Sequence, residues 1–374
     1  MKIKKKAVLV ACGTLAAICL IVAGGCANVQ RGKGFDEVAR EVGERAGATI
    51  HWDNGTDADD AVRKSVDEML KGELTADEAV QIALLNNHEL QAIYEELNIA
   101  QADVVQAGLL KNPVFSGEVR LGTSGGGTGV VLDVAQDFLS MLWLPMRKGV
   151  AEAEFEAAKI RVTNAVLDAA YATRMTFYEY ESAEQLHEMR TTVTQVTEAS
   201  YELAKRIREA GNNRELDVLN EQAMHEQAKL DLADTETHAM MLRERMNALM
   251  GLWGSQTEWK TAGRLEEFED EEKFSETGVE GEAIAANLEL AELRREAEMR
   301  ARRLGLTKRL AWMDGTEVGV AAEQELEGEW SVGPSFSIPV PLFDMGQASR
   351  AKAEAELRQT AAAYWARAVE IRSR

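Results

Sequence analysis

The chain has 374 residues, with 42 lysines and arginines against 63 aspartates and glutamates, which gives a formal charge of −21 at pH 7. Such an acidic chain is poorly suited to phosphate backbones or anionic headgroups, so nucleic-acid binding is excluded as its main role. The three cysteines all precede residue 27, which excludes a disulfide scaffold and a four-thiolate zinc site. Five prolines in all, with long runs of alanine, glutamate, leucine and arginine, predict long helices.

The first 25 residues have the layout of a secretory signal peptide. Four lysines within the first six residues precede an uncharged apolar run over 7–23. The alternative, a membrane-spanning anchor, is marginal because a span needs about 20 apolar residues. The run ends in small residues before Cys26, and this ending resembles a bacterial lipoprotein signal. We therefore expect lipidation of Cys26, removal of 1–25 with its four lysines, and a mature charge of −25.

The residue after Cys26 indicates the membrane to which such a lipoprotein is sorted. In the lipoproteins that this signal resembles, an aspartate there retains the protein in the inner membrane. Ala27 stands at that position. The resemblance therefore implies an outer-membrane protein, lipid-anchored and extending into the periplasm of a Gram-negative-type bacterium.

The segment 26–72 is polar and interrupted by glycines, and we interpret it as a periplasmic leader that packs on the outside of a larger body. Thr75 and Glu78 then form a capping-box pattern that predicts the start of a helix. Apolar residues recur after it at steps of three and four to about residue 110, and Pro113 is expected to end the helix.

Two segments then switch to a period of two, at 114–121 and 129–138, on either side of a glycine-rich stretch. This pattern predicts a β-hairpin over 114–138 with one apolar and one polar face. We expect the next helix to begin near Arg147.

Residues 150–210 contain neither proline nor glycine and keep a helical or near-heptad apolar step. At about 1.5 Å per residue, this helix is predicted to span about 90 Å. The residues at 211–213, Gly-Asn-Asn, predict a turn, and a helix returns from Glu215 to about Met250. The acidic connector around 266–272 is expected to be a solvated surface segment, with a cation site as the alternative.

The order of helix, hairpin and helix occurs twice. Asn87-His88-Glu89-Leu90 matches Asn287-Leu288-Glu289-Leu290 at an offset of 200, and 151–155 matches 353–357 at an offset of 202. The second copy is predicted to have strands at about 316–322 and 331–343. The organisation is thus a signal peptide (1–25), a leader (26–72), a first repeat (73–282) and a second repeat (283–374).

The second repeat is expected to be incomplete. By the same offset Arg374 corresponds to position 172, so the counterpart of 173–250 is absent from the sequence. We therefore expect the sequence to be a fragment.

The four predicted strands are amphipathic. In a bilayer such a sheet must close, because open edges leave backbone groups without partners at several kcal/mol each. Barrels start at about eight strands, so several chains would have to share one. The alternative is a soluble four-stranded sheet with a helix on one face.

Three stretches of the sequence resemble the TolC-type outer-membrane efflux proteins. They are Leu74-Thr75-x-x-Glu78-Ala79-Val80-x-x-Ala83-Leu84-x-Asn86-Asn87, Gln106-Ala107-Gly108-Leu109-Leu110-x-Asn112-Pro113, and Gly333-Pro334-Ser335-Phe336-Ser337-Ile338-Pro339-Val340-Pro341-Leu342-Phe343-Asp344-x-Gly346. The lipid anchor and the leader resemble the heavy-metal and multidrug branch of that family.

The resemblance implies a fold that is mainly α with a small β part. Long antiparallel helices would form a periplasmic α-barrel, and four strands from each chain of a homotrimer would form a shared transmembrane β-barrel. The helix tip, similar to the family's turn, would contact the adaptor (membrane fusion) protein of a tripartite pump. The tip residues concerned are Gly211, Asn212, Leu216, Asp217, Val218 and Leu219. The second tip turn and the last long helix of the family are absent from the sequence.

Five polar residues of the first hairpin are predicted to face the lumen of such a barrel, namely Ser116, Glu118, Arg120, Asp133 and Asp137. Because the mature charge is near −25, we hypothesise that the duct is cation-tolerant. Asp217 either caps the returning helix or contacts the adaptor, and the two roles are compatible. No catalytic constellation is found, and the five histidines, without i, i+4 pairing or a nearby cysteine, are interpreted as structural or surface residues rather than metal ligands.

The predicted function is therefore that of an outer-membrane channel for passive exit of metal ions, drugs or other small molecules. Its predicted partners are an adaptor, an inner-membrane transporter and outer-membrane lipid, and no cofactor or enzymatic activity is expected. The alternative is a non-conducting periplasmic coiled-coil lipoprotein that acts as a scaffold or adaptor.

Overall fold

The computed structural model describes residues 29–121, 127–137, 139–261, 263–265, 278–310, 316–324 and 329–373. Cys26, Phe138 and the acidic connector over 266–272 lie outside these residues. The described chain divides into two compact units. The first comprises 98–158 and 290–374 together with the N-terminal residues to 33, and the second comprises 34–97 and 159–289.

The second unit begins with two short helices, α1 (Phe35–Ala46) and α2 (Asp57–Met69). Val38 and Val42 of α1 and Trp52 of the connecting segment are buried in one core cluster. The interpretation of 26–72 as a polar leader missed both helices. Each is shorter than four turns and is bounded by glycine or by a capping threonine, so neither gives a long periodic signal.

The capping box at Thr75 is confirmed. Thr75 and Glu78 exchange backbone and side-chain hydrogen bonds at the start of α3 (Ala76–Asn86). The single helix expected to reach about residue 110 is instead two helices, because Asn87 is extended and separates α3 from α4 (His88–Ala107). The Asn87 side chain accepts the N–H of Glu89 at 2.7 Å, which caps the second helix.

The longest helix, α5 (Leu139–Glu209), has 71 residues and contains Pro145. The expected start near Arg147 is therefore wrong. Pro145 lies in the second turn, where it removes one backbone hydrogen bond without ending the helix. The preceding Asp137 accepts the N–H of Ser140 at 2.9 Å, which satisfies one of the free donors at the helix start.

The helix α6 (Glu215–Met250) has the bounds predicted for it. It is followed by a short 3-10 helix, Gly254–Thr257, and by a two-residue strand β4 (Lys260–Thr261), which pairs in parallel with β1 (Glu73–Leu74). A core cluster joins these elements around Phe177, Met246 and Trp259.

The sheet of the first unit has four antiparallel strands in the order β2 (Val114–Leu121), β3 (Thr128–Gln136), β5 (Glu317–Gln324) and β6 (Trp330–Ser337). The central pair joins β3 to β5, with Val134 opposite Val320. The last strand ends at Ser337, whereas the alternation predicted it to 343. Pro339 and Pro341 have no N–H to donate to a ladder, which accounts for the earlier end.

The remaining helices are α7 (Val279–Ala286), α8 (Leu288–Leu310) and α9 (Gln347–Ser373). The internal repeat is visible in the backbone. Asn287 separates α7 from α8 with φ −72° and ψ 119°, and Asn87 has φ −72° and ψ 116°. Each copy therefore runs helix, extended asparagine, helix, strand pair, helix.

Among the residues that the structure describes, no helix combines the length and the apolar character needed to cross a bilayer.

Candidate functional site

The four-stranded sheet has one apolar and one polar face. On the apolar face, strongly exposed side chains occur in all four strands, and Phe115, Val332 and Phe336 are 68%, 68% and 77% exposed. The register places Ser116 opposite Asp133, Asp133 opposite Ala321, and Ala321 opposite Gly333. Since directly paired residues point to the same side of a sheet, these residues form the polar face. An apolar face this exposed requires a covering phase or partner.

An ion triad crosses the polar face. The Arg120 guanidinium donates to Glu118 at 3.0 Å within its own strand and to Glu323 at 3.0 Å on β5. Glu118 and Arg120 lie on this face, and their exposure to a lumen stays a prediction. Glu323 was not among the predicted residues, because the pairing of β3 with β5 joins positions about 190 residues apart. The only signal for Glu323 in the sequence was its odd-numbered position, which continues the alternation of Glu317, Gly319 and Ala321 in the second strand pair.

A second polar contact on the same face spans three strands. The Ser335 hydroxyl on β6 donates to an Asp133 carboxylate oxygen on β3 at 2.6 Å. The intervening residue of β5 is Gly319, and a Cβ there would lie 2.8 Å from the Ser335 oxygen and 2.4 Å from the carbonyl oxygen of Val134. Glycine therefore leaves the space through which the serine reaches the aspartate.

Asp137 lies one residue beyond β3 and is not a strand residue, contrary to prediction. Its carboxylate accepts from the Lys111 ammonium at 2.9 Å and from the N–H of Ser140 at 2.9 Å. The alternating pattern predicted β3 to extend too far, to residue 138, because Asp137 lies an even number of residues after Asp133 and so fits the same polar face. Its contacts assign it to the start of α5.

The predicted helix tip is a turn between α5 and α6. Gly211 has φ +81°, a left-handed conformation that favours glycine. Its N–H donates to the Arg208 carbonyl at 2.8 Å, and the N–H of Asn212 donates to the Ile207 carbonyl at 3.1 Å. These two bonds satisfy the last carbonyls of α5, as expected for a glycine-terminated helix.

The first turn of α6 carries charged and apolar residues together. The Arg214 Nε and one terminal guanidinium nitrogen donate to the two Asp217 carboxylate oxygens at 3.2 Å each, and this interaction lowers the pKa of the Asp217 carboxyl. Leu216 and Leu219 are 60% and 53% exposed, whereas Val218 is half-buried. Asp217 is placed to stabilise the helix start through the helix dipole, and it leaves the leucines available to another molecule.

His51 was interpreted as structural or surface, and the structure places it beside two carboxylates. Its Nε2 lies 2.7 Å from an Asp59 oxygen and 3.8 Å from an Asp53 oxygen. The i, i+2 spacing of His51 and Asp53 was the available signal in the sequence, and a search for histidines at helical spacing does not detect it.

Comparison with solved structures finds the same fold in several outer-membrane proteins. A membrane protein from Pseudomonas aeruginosa matches with a TM-score of 0.63 and 16% identity, over 80% of this chain and 74% of that one. The outer membrane protein VceC from Vibrio cholerae matches with a TM-score of 0.61 and 16% identity, over 79% of this chain and 75% of that one. The Campylobacter jejuni CmeC outer membrane channel matches with a TM-score of 0.62 and 14% identity, over 82% of this chain and 69% of that one.

No protein-family model and no curated protein matches the sequence. At 14–16% identity, the structural likeness concerns the fold. It confirms the predicted TolC-type fold, mainly α with a small β part.

Proposed function

We propose that this chain is the outer-membrane channel component of an efflux system. The observation that carries the proposal is the two-faced sheet: one face exposes aromatic and branched apolar side chains, and the other holds an ion triad and a serine–aspartate pair. A bilayer in contact with one face and water in contact with the other would satisfy both. The likeness of the fold to outer membrane channels supports the same role.

A closed assembly follows from the edges of this sheet. Among the strands that the structure describes, β2 and β6 each have one neighbour, so each leaves a row of backbone groups to pair. In lipid these groups must be paired, and a barrel without edges is the solution available to strands. Three chains would supply twelve strands, which lies within the range of known membrane barrels. We therefore propose a homotrimer with the polar face, including Ser116, Glu118, Arg120 and Asp133, toward the lumen.

The helix tip is the proposed contact with a periplasmic adaptor. Gly211 and Asn212 form the turn, and Leu216 and Leu219 beside Asp217 and Val218 offer a small apolar surface with a charged edge. Through the adaptor, an inner-membrane transporter would supply the energy, and passage through the channel itself would be passive. Metal ions, drugs and other small molecules are the proposed classes of substrate.

The membrane anchor is proposed to be a lipid on Cys26. Cys26→Ala should abolish labelling by radioactive palmitate and leave the precursor unprocessed. Labelling that is unchanged in this variant would contradict the assignment.

The alternative, a non-conducting periplasmic lipoprotein that acts as a scaffold, is less well supported. A scaffold in water would have to cover the apolar face of the sheet, where Phe336 is 77% exposed. The scaffold also gives no role to the charges collected on the opposite face.

Two adjacent residues of β6 test the proposal. Val332 lies on the apolar face and Ser331 on the polar face, opposite Glu323. An arginine facing lipid costs about 2–4 kcal/mol near the bilayer centre, so Val332→Arg should reduce the membrane-inserted trimer and its conductance in planar bilayers. Ser331→Arg should keep both. Equal behaviour of the two variants, or a wild-type protein that conducts no ions, would contradict the channel.

A further inference from the structure

Three side chains of the second unit converge at the connection between α1 and α2. The His51 Nε2 lies 2.7 Å from an Asp59 oxygen and 3.8 Å from an Asp53 oxygen, and the ligand atoms of all three residues lie within 4.8 Å of one another. The Asp59 side chain is 2% exposed, whereas those of His51 and Asp53 are 21% and 39% exposed. One side of the cluster is therefore closed by protein and the other is open to water.

The backbone of His51 and Asp53 is held by one glutamine of α4. The Gln91 side-chain nitrogen donates to the carbonyl of His51 at 2.9 Å, and its oxygen accepts the N–H of Asp53 at 2.9 Å. Gln81 of α3 binds Thr49 in the same way, through both its N–H and its carbonyl. The backbone of the segment is thus held at Thr49, His51 and Asp53, and the 3.8 Å approach of the His51 Nε2 to an Asp53 oxygen places these two side chains on the same side.

The third side chain is fixed by the start of α2. One Asp59 oxygen accepts the N–H of Thr56 at 2.8 Å and the N–H of Asn54 at 3.2 Å. The other oxygen faces His51. Backbone donors therefore orient this carboxylate before any ligand arrives. Hydrogen bonds to metal-ligating side chains commonly have this orienting role.

The donor set is one imidazole nitrogen and two carboxylate oxygens. Such mixed nitrogen and oxygen sites suit divalent first-row transition ions, which bind these atoms at about 2.0–2.2 Å. The two His51 separations of 2.7 and 3.8 Å bracket the spacing of about 3.3 Å that ligands have around such an ion. A small shift that replaces the His51–Asp59 hydrogen bond by the ion would bring all three within reach.

We propose that His51, Asp53 and Asp59 bind one divalent transition-metal ion of the Zn²⁺ type, with water completing its coordination. The ion would join the segment at 51–53 to the start of α2 and stabilise this part of the second unit. None of these three residues belongs to the sheet or to the helix tip. A failure of the metal proposal would therefore leave the channel proposal unaffected, and the reverse also holds.

Asp53 provides the decisive variant. Its side chain takes no part in the α2 capping box, its N–H bond to Gln91 belongs to the backbone, and its carboxylate is too far from His51 for a hydrogen bond. Asp53→Asn should therefore fold as the wild type does, which circular dichroism would check. His238→Asn, at an exposed position of α6, is the matched control for a histidine outside the site.

The experiment uses the full chain in detergent, without an affinity tag and after treatment with EDTA. Zn²⁺ is titrated by calorimetry, and Co²⁺ by the visible absorption of its bound form. Wild type and His238→Asn should bind one ion per chain, and Asp53→Asn and His51→Gln should bind at least tenfold more weakly, since loss of an outer contact alone commonly costs 10–100-fold. Equal affinity in Asp53→Asn, or no saturable binding by the wild type, would overturn the proposal.

Discussion

At the scale of single residues, Arg243 of α6 connects the segment after α6 to α5 within the second unit. Its guanidinium donates to the carbonyls of Thr257 and Trp259 at 2.8 and 2.7 Å and to the Tyr180 hydroxyl at 2.9 Å, and it lies 4.4 Å from the Trp259 ring centroid. Trp259 is 2% exposed, and its indole N–H donates to Asn247 at 2.7 Å. One side chain therefore satisfies two carbonyls beside a buried ring.

Arg243→Met keeps the apolar stem and removes every donor. We expect a loss of about 2–3 kcal/mol in the free energy of unfolding, because two sheltered carbonyls lose a charged partner. Urea unfolding followed by tryptophan fluorescence measures it. Arg245→Met, at an exposed position two residues on, should change the free energy by less than about 0.5 kcal/mol. Equal losses in the two variants would contradict this role of Arg243.

Asp59 makes part of the stability depend on pH. The hydrogen bond from His51 and then the N–H of Thr56 lower the pKa of its carboxyl from 3.8 to about 2. Because the folded pKa is the lower one, the stabilisation is fully present above about pH 4 and is lost as the pH falls through 2.

In EDTA, Asp59→Asn should melt below the wild type at pH 7, and the gap should narrow between pH 4 and pH 2. Thermal unfolding over this pH range measures both. Asp57→Asn, at an exposed position of the same helix turn, is the control and should keep the wild-type profile. A gap for Asp59→Asn that is constant with pH would contradict the mechanism.

At the scale of elements, the junction of α3 and α4 packs directly on the end of α6. The Asn86 side chain donates to the carbonyls of Met250 and Gly251 at 3.0 and 2.9 Å, and Asn87 donates to that of Leu249 at 2.9 Å. Gly251 has φ +67°, and a Cβ there would lie 2.6 Å from the carbonyl oxygen of Asn86. The close approach and the left-handed backbone both require glycine at this position.

Alanine substitutions at Gly251 and Gly254 distinguish the cost of the close approach of Asn86 from the cost of the left-handed backbone. Gly254 also has positive φ, at 61°, but a Cβ there meets nothing within 4 Å. Gly254→Ala should cost about 1–2 kcal/mol, the cost of a left-handed alanine. Gly251→Ala should cost at least about 3 kcal/mol, since backbone atoms must also move. Chemical unfolding measures both, and equal costs would contradict the packing of Asn86 on Gly251.

Much of this element order could be predicted from local sequence. The capping box at Thr75, the bounds of α6 and the alternation of β2 each depend on a few neighbouring residues. The start of α5 was predicted too late, near Arg147, because the effect of a proline such as Pro145 depends on its turn within the helix. The contacts of Glu323 and Ser335 depend on a register between strands nearly 200 residues apart, which no local pattern specifies.

At the scale of the whole molecule, the net charge of −21 is acidic, and the polar face of the sheet likewise carries more acidic than basic side chains. Among its described strand residues, four carboxylates share this face with one guanidinium. The carboxylates are those of Glu118, Asp133, Glu317 and Glu323, and the guanidinium is that of Arg120. If this face lines a lumen, the excess of fixed negative charge raises the local concentration of cations.

The assembled channel should therefore prefer cations in a KCl gradient. Glu323→Gln should shift the reversal potential toward zero, because it removes one negative charge per chain and leaves Arg120 in place. Glu68→Gln on α2, outside the sheet, is the control and should leave the potential unchanged. A preference of the wild type for anions would contradict the proposed lumen charge.

Spin labels at five consecutive positions of β3, 130–134, measure directly which face of the sheet meets lipid and which meets water. Single cysteines there, in a background without the native cysteines, carry a spin label in the membrane-reconstituted protein. For a channel, we expect the highest collision rate with oxygen, which partitions into lipid, at 130, 132 and 134. We expect the highest collision rate with a water-soluble nickel chelate at 131 and 133. Values without alternation, or with the opposite parity, would contradict a channel built from this sheet.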